Sequence, residues 1–121
     1  IGNDKWTIVN IWGPKCPLCI EEIPTLVFFH EEHFENDAMV LGIALDFPSF
    51  AYAKIDDVNN VVDDFLIEYP MLLSDGEVAS KLGAKSLKGT PTNLIFNPQG
   101  KLVDEHVGLI TKEELEKIIV R

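Results

Sequence analysis

Positive charge is scarce in this sequence. Ten Lys and Arg residues stand against twenty Asp and Glu residues, so the formal net charge at pH 7 is −10. A surface of this sign repels phosphate backbones and anionic lipid headgroups, which argues against nucleic acid or an anionic membrane surface as a partner. Solubility is the simpler explanation of the acidic balance, and the charge alone identifies no protein partner.

Long apolar runs, internal repeats and low-complexity segments are also missing. No run approaches the roughly 20 apolar residues of a membrane-spanning helix. The chain has 121 residues, 46% of them hydrophobic, which is enough to bury a core without a disulfide or a metal ion. We therefore predict a single domain over residues 1–121. The first residue is Ile1 and not Met, which leaves room for a signal peptide or membrane anchor that has been removed.

Cysteine is nearly absent, and the two cysteines of the chain, Cys16 and Cys19, are separated by Pro17 and Leu18. A bridge across so short a loop restrains the unfolded chain only slightly, so a purely structural disulfide is a weak explanation. Structural zinc takes four ligands, and the sequence has neither a second C-x-x-C nor a Cys/His pair at zinc-finger spacing. The favoured interpretation is a reactive dithiol.

The apolar pattern predicts strands that alternate with helices. Apolar, β-branched stretches favour buried strands, and apolar residues at a spacing of 3.6 favour amphipathic helices. The predicted strands are residues 5–12, 39–45, 69–73, 92–96 and 101–107. The predicted helices run from the cysteines to about residue 33, over 50–68, over 74–83 and from 111 onward. A helical crossover makes the first two strands parallel, whereas a turn at residues 97–100 makes the last two a hairpin.

The cysteines lie at the start of the first predicted helix. Pro17 suits a first helical turn because that position needs no N–H donor. Cys16 then lies where free N–H groups and the helix dipole stabilise a thiolate. Cys19 follows one turn later on the same side, within reach of a mixed disulfide on Cys16. A C-x-x-C pair between a buried strand and a helix is typical of thioredoxin-like redox sites. Pro24 is expected to kink this helix.

Two segments carry a resemblance to a known family. The motif WGPKCPLC at residues 12–19 and the segment GTPTNLIFNPQGKLV at residues 89–103 resemble the thioredoxin superfamily. The closer similarity is to its TlpA/ResA branch of membrane-anchored or periplasmic thiol–disulfide oxidoreductases, and it covers nearly the whole chain. The resemblance implies an α/β fold, a thioredoxin-like three-layer α/β/α sandwich with a mixed sheet. It also implies a central αβ insertion, which residues 51–73 fit.

The resemblance also implies roles for individual residues. Cys16 is similar to the attacking thiol of the family and Cys19 to the resolving thiol. Thr90 and Pro91 match a loop whose cis proline faces the cysteines and holds the backbone open for an extended substrate segment. The expected substrate-binding residues are Trp12, Pro17, Thr90 and Pro91.

One acidic position departs from cytosolic thioredoxin. Asn10 stands where thioredoxin has a buried Asp, and an asparagine cannot accept a proton. In ResA-like members the acid lies three residues after the second cysteine, and that position is Glu22. We expect Glu22 to act as the base for Cys19, with a pKa raised by burial and by a nearby thiolate. The alternative is a solvated surface acid like its neighbour Glu21.

The expected function is reduction of disulfides in extracytoplasmic proteins, of the cytochrome c maturation type. The expected partners are disulfide-containing protein substrates and a membrane or periplasmic thiol that donates electrons. No cofactor is expected, and the protein is expected to be a monomer in the periplasm or another extracytoplasmic compartment. Pro17 and Leu18 lack the His that stabilises the thiolate in strong oxidants, which favours a reductant or a carrier of intermediate potential.

Two other functions remain open at this stage. A thiol peroxidase of this superfamily needs a Thr three residues before its reactive Cys, and Gly13 stands there. A copper-delivery module of the Sco type pairs C-x-x-x-C with a distant His, so the cysteine spacing is one residue short and His106 would have to reach the site. His30 and His33 share a helix face, but no third metal ligand is evident, and His106 is expected to be a polar surface residue.

Overall fold

The computed structural model describes residues 4–14, 16–45, 55–74, 81–83 and 89–120. In chain order its elements are β1 (Trp6–Trp12), α1 (Pro17–His33), β2 (Ala38–Leu45), α2 (Ile55–Phe65), β3 (Met71–Ser74), β4 (Thr92–Phe96), β5 (Leu102–Val107) and α3 (Lys112–Ile119). The strands form one sheet with the order β3-β2-β1-β4-β5. The pairs β1–β2 and β2–β3 are parallel, whereas β1–β4 and β4–β5 are antiparallel. The predicted mixed sheet and its closing hairpin are confirmed.

Both faces of the sheet carry an apolar core. On one face, Ile8 and Trp12 of β1 pack with buried side chains of α1, α2 and α3. On the opposite face, Val9 and Ile11 belong to a second cluster, against which Leu82 packs. Successive side chains of a strand point to opposite faces, so a strand that is buried on both sides has to be apolar nearly throughout. This explains the composition of β1.

The helix predicted over residues 74–83 falls mainly on residues outside the described ranges. Its end is described: Lys81 is helical, and Gly83 has a φ of +99°, a left-handed conformation that suits a glycine after a helix.

The predicted boundary of α2 is wrong at its C-terminal end. The helix ends at Phe65 and not at residue 68, because Leu66 takes a left-handed φ of 54°. The N–H of Ile67 then bonds to the carbonyl oxygen of Val62 at 3.0 Å, which closes the last turn. The predicted start of this helix, residues 50–54, lies outside the described residues.

The last helix begins as its capping box predicts. Thr111 is the N-cap of α3, and its side chain accepts a hydrogen bond from the Glu114 N–H at 3.1 Å. The Glu114 carboxylate in turn accepts one from the Thr111 N–H at 3.2 Å. Leu115, Ile118 and Ile119 are buried, as predicted. Among the described residues, no helix combines the length and the apolar character that crossing a lipid bilayer requires.

Candidate active site

The two cysteines lie at the N-terminus of α1 and form a disulfide, with their Cα atoms 5.2 Å apart. Cys16 is the N-cap residue, with an extended backbone at φ −94° and ψ 110°. Its Sγ accepts a hydrogen bond from the Cys19 N–H at 3.3 Å. Pro17 occupies the first turn, as predicted. The unpaired N–H groups of a helix start and its dipole therefore act on Cys16, and both stabilise a thiolate.

The two sulfurs differ in their access to solvent. Cys16 is half-buried, whereas Cys19 is 2% exposed and belongs to the core cluster that contains Ile8 and Trp12 of β1. Pro17 and Leu18, between them, are both exposed. A protein substrate can therefore approach Cys16 from outside, whereas Cys19 is reached from the Cys16 side of the disulfide.

The loop before β4 lies against the outer cysteine. The Thr90–Pro91 peptide bond is cis, and the Thr90 hydroxyl donates to Cys16 Sγ at 3.5 Å. The Thr90 carbonyl oxygen lies 3.7 Å from the same sulfur. A disulfide sulfur carries no hydrogen, so the carbonyl contact becomes a hydrogen bond only when Cys16 is a thiol. The loop thus faces the cysteines, as the resemblance implies.

Trp12 belongs to the same apolar core cluster as Cys19. Its side chain is 1% exposed, and its indole N–H donates to Met71 Sδ at 3.1 Å. Met71 fits there because Gly42 has no side chain: a Cβ at position 42 would lie 2.6 Å from that sulfur atom. Trp12 therefore supports the site by packing, and Pro17 and Thr90 are the predicted substrate-binding residues that reach the surface.

Glu22 is the acid of the site that the structure buries. Its side chain is 1% exposed, whereas Glu21 beside it is exposed. Glu22 Oε1 accepts hydrogen bonds from Asn10 Nδ2 at 2.9 Å and from Asn93 Nδ2 at 3.1 Å. Glu22 Oε2 accepts one from the Ile110 N–H at 2.9 Å. The alternative of a solvated surface acid at position 22 is therefore wrong.

Burial raises the pKa of Glu22 above its ordinary value of 4.5. Hydrogen bonds from Asn93, from the Ile110 N–H and from Asn10, together with the charge of His106, lower the pKa and offset part of that rise. A buried carboxyl group with a raised pKa is a stronger base than an exposed one, which suits it to proton transfer. Since Glu22 follows Cys19 by three residues on one helix, the two side chains share a face of α1.

Asn10 has a role that its amino-acid type did not predict. Its amide donates to the Glu22 carboxylate and also to Asn93 Oδ1 at 3.0 Å. In the antiparallel registers Asn10 pairs with Asn93, and Asn93 pairs with His106. Directly opposed residues share a face of a sheet, so these three polar side chains cross the sheet in a row beneath Glu22.

His106 was expected on the surface and is instead half-buried, with its ring hydrogen-bonded. Its Nε2 donates to the Leu109 carbonyl oxygen at 2.7 Å. A carbonyl accepts and cannot donate, so this bond places a hydrogen on Nε2.

The two histidines of α1 are used separately. His30 is buried, and its Nδ1 accepts a hydrogen bond from the Val40 N–H at 3.1 Å. His33 lies between two carboxylates, with Nδ1 2.7 Å from Asp37 Oδ1 and Nε2 3.1 Å from Glu116 Oε2. His30 and His33 therefore have different hydrogen-bond partners and form no joint site.

An ion-pair network joins the end of α1 to α3. Glu32, His33 and Glu116 bring their ligand atoms within 4.8 Å of one another. Glu116 lies 83 residues from His33 in sequence, which is why the sequence offered no third ligand beside the histidines. Lys112 Nζ lies 2.7 Å from the Glu32 carboxylate and completes the network.

Comparisons with known proteins agree with this geometry. The AhpC/TSA family model matches residues 1–105. The chain is 24% identical over 115 residues to thiol-disulfide oxidoreductase ResA of Halalkalibacterium halodurans, covering 95% of this chain and 61% of the relative. It is 24% identical over 116 residues to sporulation thiol-disulfide oxidoreductase A of Bacillus subtilis, covering 92% of this chain and 64% of the relative.

A solved structure shows the same fold. The thioredoxin-family thiol:disulfide interchange protein from Chlorobium tepidum TLS matches with a TM-score of 0.83 at 23% identity, over 98% of this chain and 79% of that one. The predicted thioredoxin-like α/β fold is therefore confirmed. The chain spans 61% of the length of the ResA relative. By its match over residues 1–105 the chain belongs to the AhpC/TSA family, and within the thioredoxin superfamily it is similar to ResA.

Proposed function

We propose that this chain is a thiol–disulfide oxidoreductase whose redox couple is Cys16–Cys19. The observation that carries the proposal is the disulfide at the start of α1, with its outer sulfur 3.5 Å from the Thr90 hydroxyl of the cis-proline loop. The names of the curated relatives, ResA and sporulation thiol-disulfide oxidoreductase A, support it.

The difference in exposure between the two sulfurs supports the following order of steps. In the reduced protein, the Cys16 thiolate attacks one sulfur of a substrate disulfide, the substrate S–S bond breaks, and one substrate thiolate leaves and takes up a proton. Cys19 then loses its proton and attacks Cys16 Sγ. The mixed disulfide breaks, the second substrate thiol leaves, and the Cys16–Cys19 disulfide forms. Two electrons have passed to the substrate, and an external dithiol, itself oxidised to a disulfide, restores the Cys16–Cys19 dithiol.

Glu22 is the proposed base for the second attack. Cys19 is 2% exposed, so bulk water reaches its thiol poorly. Glu22, at a spacing of three residues on the same helix, is buried and has a raised pKa. A carboxylate in this position can accept the Cys19 proton and later pass it to the leaving thiol.

The narrower assignment comes from the resemblance to the TlpA/ResA branch. We propose disulfides of extracytoplasmic proteins as substrates, of the cytochrome c maturation type, with a membrane or periplasmic thiol as electron donor. The proposed compartment is periplasmic or otherwise extracytoplasmic, and the proposed state is a monomer.

Trapping of the mixed disulfide tests the proposed roles of the two thiols. With a fluorescent disulfide peptide, reduced Cys19→Ser should accumulate a covalent adduct on Cys16, because the resolving thiol is missing. Cys16→Ser should form little adduct, since its remaining thiol is buried. Alkylation of the reduced wild type at mildly acidic pH should label Cys16 first.

Two outcomes would contradict the proposal. Equal adduct formation by both variants would remove the assignment of attacking and resolving thiols. Consumption of hydrogen peroxide by a reduced protein that does not exchange with the peptide would favour the thiol peroxidase instead.

A further inference from the structure

Three consecutive residues after β5 are tied to three different parts of the molecule. The Gly108 N–H donates to the Pro91 carbonyl oxygen at 2.8 Å. Leu109 offers its carbonyl oxygen to His106 Nε2 at 2.7 Å. The Ile110 N–H donates to Glu22 Oε2 at 2.9 Å. The segment 108–110 therefore connects the cis-proline loop to the buried acid.

His106 fixes the middle of this segment. Its ring belongs to β5, whose backbone is held in register against β4 by the pairing of His106 with Asn93. The bond to the Leu109 carbonyl oxygen fixes the peptide unit between Leu109 and Ile110, because that carbonyl and the Ile110 N–H belong to one planar group. The direction of the Ile110 N–H toward Glu22 thus depends on His106.

When its ring is protonated, His106 also acts on Glu22 electrostatically. A positive charge on its ring lowers the pKa of Glu22 and so offsets part of the rise that burial causes. Tyr69, ahead of β3, is buried, and the charge of Glu22 adds to the rise that burial gives the pKa of its phenol. The groups that face Glu22 from the elements packed against it are Asn10 of β1, Asn93 of β4, His106 of β5, the Ile110 N–H and Tyr69.

We propose that His106 is a positioning residue of the thiol–disulfide site. It holds the segment 108–110 in place and, when protonated, adds a positive charge near Glu22, and both effects stabilise the ionised form of Glu22. The inference rests on the proposed function, in which Glu22 accepts the proton of Cys19. The ring of His106 is hydrogen-bonded to Leu109 and not to either sulfur. It sets the pH at which the buried base becomes available.

The test is a titration of the Glu22 carboxyl carbon by NMR in oxidised protein labelled with 13C-glutamate, with Glu22→Gln to assign the signal. His106→Phe removes both the donor and the charge, so the midpoint should move to higher pH by roughly one unit, the size of one hydrogen bond to a charged group. His106→Gln keeps an amide donor without the charge, and its midpoint should move less in the same direction.

His33→Gln is the matched control, because it removes a half-buried histidine that pairs with Asp37 and Glu116 and not with Glu22. Its Glu22 midpoint should equal that of the wild type. Equal midpoints in wild type, His106→Phe and His106→Gln would overturn the proposal, and so would a shift in His33→Gln as large as that in His106→Phe. Thermal unfolding of each variant verifies that the fold is retained, and His106→Gln remains a test if His106→Phe does not fold.

The same variants separate this inference from the proposed function. The titration uses the disulfide form and needs no exchange activity, so an inactive wild type would contradict the proposed function and leave the titration result standing. If the wild type is active but substitution of His106 leaves the titration midpoint of Glu22 unchanged, only the proposed role of His106 is overturned. If the protein is active, the pH at which its exchange rate falls on the acidic side should shift between variants in the same direction as the Glu22 midpoint measured by NMR.

Discussion

Glu22 places a carboxyl group in the core, 1% exposed, with N–H donors on β1, on β4 and on the segment before α3. Burial of a carboxylate is costly unless hydrogen bonds replace its water. The three donors supply that replacement, yet the pKa stays raised because burial outweighs them. Its neutral form therefore persists to a higher pH than that of an exposed carboxyl group, which suits a group that accepts a proton and returns it.

Replacement of this acid should slow the exchange. Glu22→Gln keeps the size of the side chain and one acceptor oxygen, but its amide cannot accept a proton, so resolution of the mixed disulfide should slow by about 10²-fold. Because the pKa of Glu22 is raised, the exchange rate of the wild type should fall as the pH drops through that pKa. The rate of the variant should not show this decrease. Stopped-flow fluorescence with a disulfide peptide measures both effects.

Glu21→Gln is the control for this prediction. Glu21 is exposed on the adjacent helix position, so its loss should leave the rate and the pH profile close to those of the wild type. If both variants slow exchange to the same extent, the effect is one of net charge and Glu22 is not the base.

The acid could be predicted from the sequence, but its environment could not. Position 22 was identified through the resemblance, because ResA-like members have an acid three residues after the second cysteine. The groups that donate hydrogen bonds to Glu22 could not be predicted in this way. Asn93 and Ile110 lie 71 and 88 residues from Glu22 in sequence and come near it only through the order of the strands in the sheet. The role of His106 was not predicted either. Its place in the alternating pattern of an edge strand suggested only a polar surface residue.

At the scale of elements, the local patterns predicted well. The apolar run of β1, the proline and cysteines that begin α1, and the capping box of α3 each depend on residues close in sequence, so their bounds agree within a residue or two with the structure. Pro24 lies inside α1 and the helix continues through it, while the kink stays a prediction. The end of α2 was missed because a leucine rarely takes a positive φ, so Leu66 gave no signal.

The junction of α1 and α3 should respond to pH. Burial alone would lower the pKa of His33, but hydrogen bonds to Asp37 and Glu116 and their charges raise it above 6.5. A raised pKa in the folded state means that the stabilisation is complete below pH 6.5 and is lost as the pH rises through the folded value. His33→Gln should therefore lower the free energy of unfolding by roughly 0.2–1 kcal/mol below pH 6, a small amount because partly exposed ion pairs are screened by solvent. The loss should be smaller above the folded pKa, because the wild-type histidine is then neutral.

Chemical denaturation of wild type and His33→Gln over a range of pH measures this difference. Asp37→Asn should reproduce part of the loss with the same direction of pH dependence. A difference between wild type and His33→Gln that stays constant with pH would show that the histidine acts by packing, for example through its stacking on Phe29 at 4.5 Å between ring centroids.

On the scale of the whole molecule, one sheet holds together segments that are far apart in sequence. β1 lies at its centre, between β2 and β4, and so brings the cysteine motif that follows it next to the cis-proline loop that precedes β4. The two halves of the site meet because adjacent strands lie less than about 5 Å apart. The whole chain has a formal net charge of −10 at pH 7, and a net charge far from zero favours solubility.

The stability of the whole protein should decline as Glu22 begins to ionise. Its pKa is near 4.5 when the chain is unfolded and higher when it is folded, so between these values the folded state binds more protons than the unfolded state. The free energy of unfolding therefore falls as the pH rises from 4.5 to the folded pKa and then becomes level. Urea denaturation of wild type and Glu22→Gln should show this decline in the wild type alone.

The comparison is best read as the difference between the two proteins at each pH, because other groups titrate equally in both. A difference that grows in favour of the wild type as the pH rises would mean that the carboxylate is stabilised by folding and that its pKa is lowered. In a double variant with His33→Gln the two effects should add, since the residues share no hydrogen-bond partner.

The amide of Asn10 has a consequence for how such a sequence can change over time. Because its Nδ2 donates to Glu22 at 2.9 Å and to Asn93 at 3.0 Å, an aspartate at position 10 would remove a donor and set a second carboxylate against the first. Two adjacent buried carboxylates cannot both ionise without a large penalty. An acid on the strand and an acid on the helix therefore exclude one another, and a lineage that moves the acid between positions 10 and 22 has to change both, which makes them an epistatic pair.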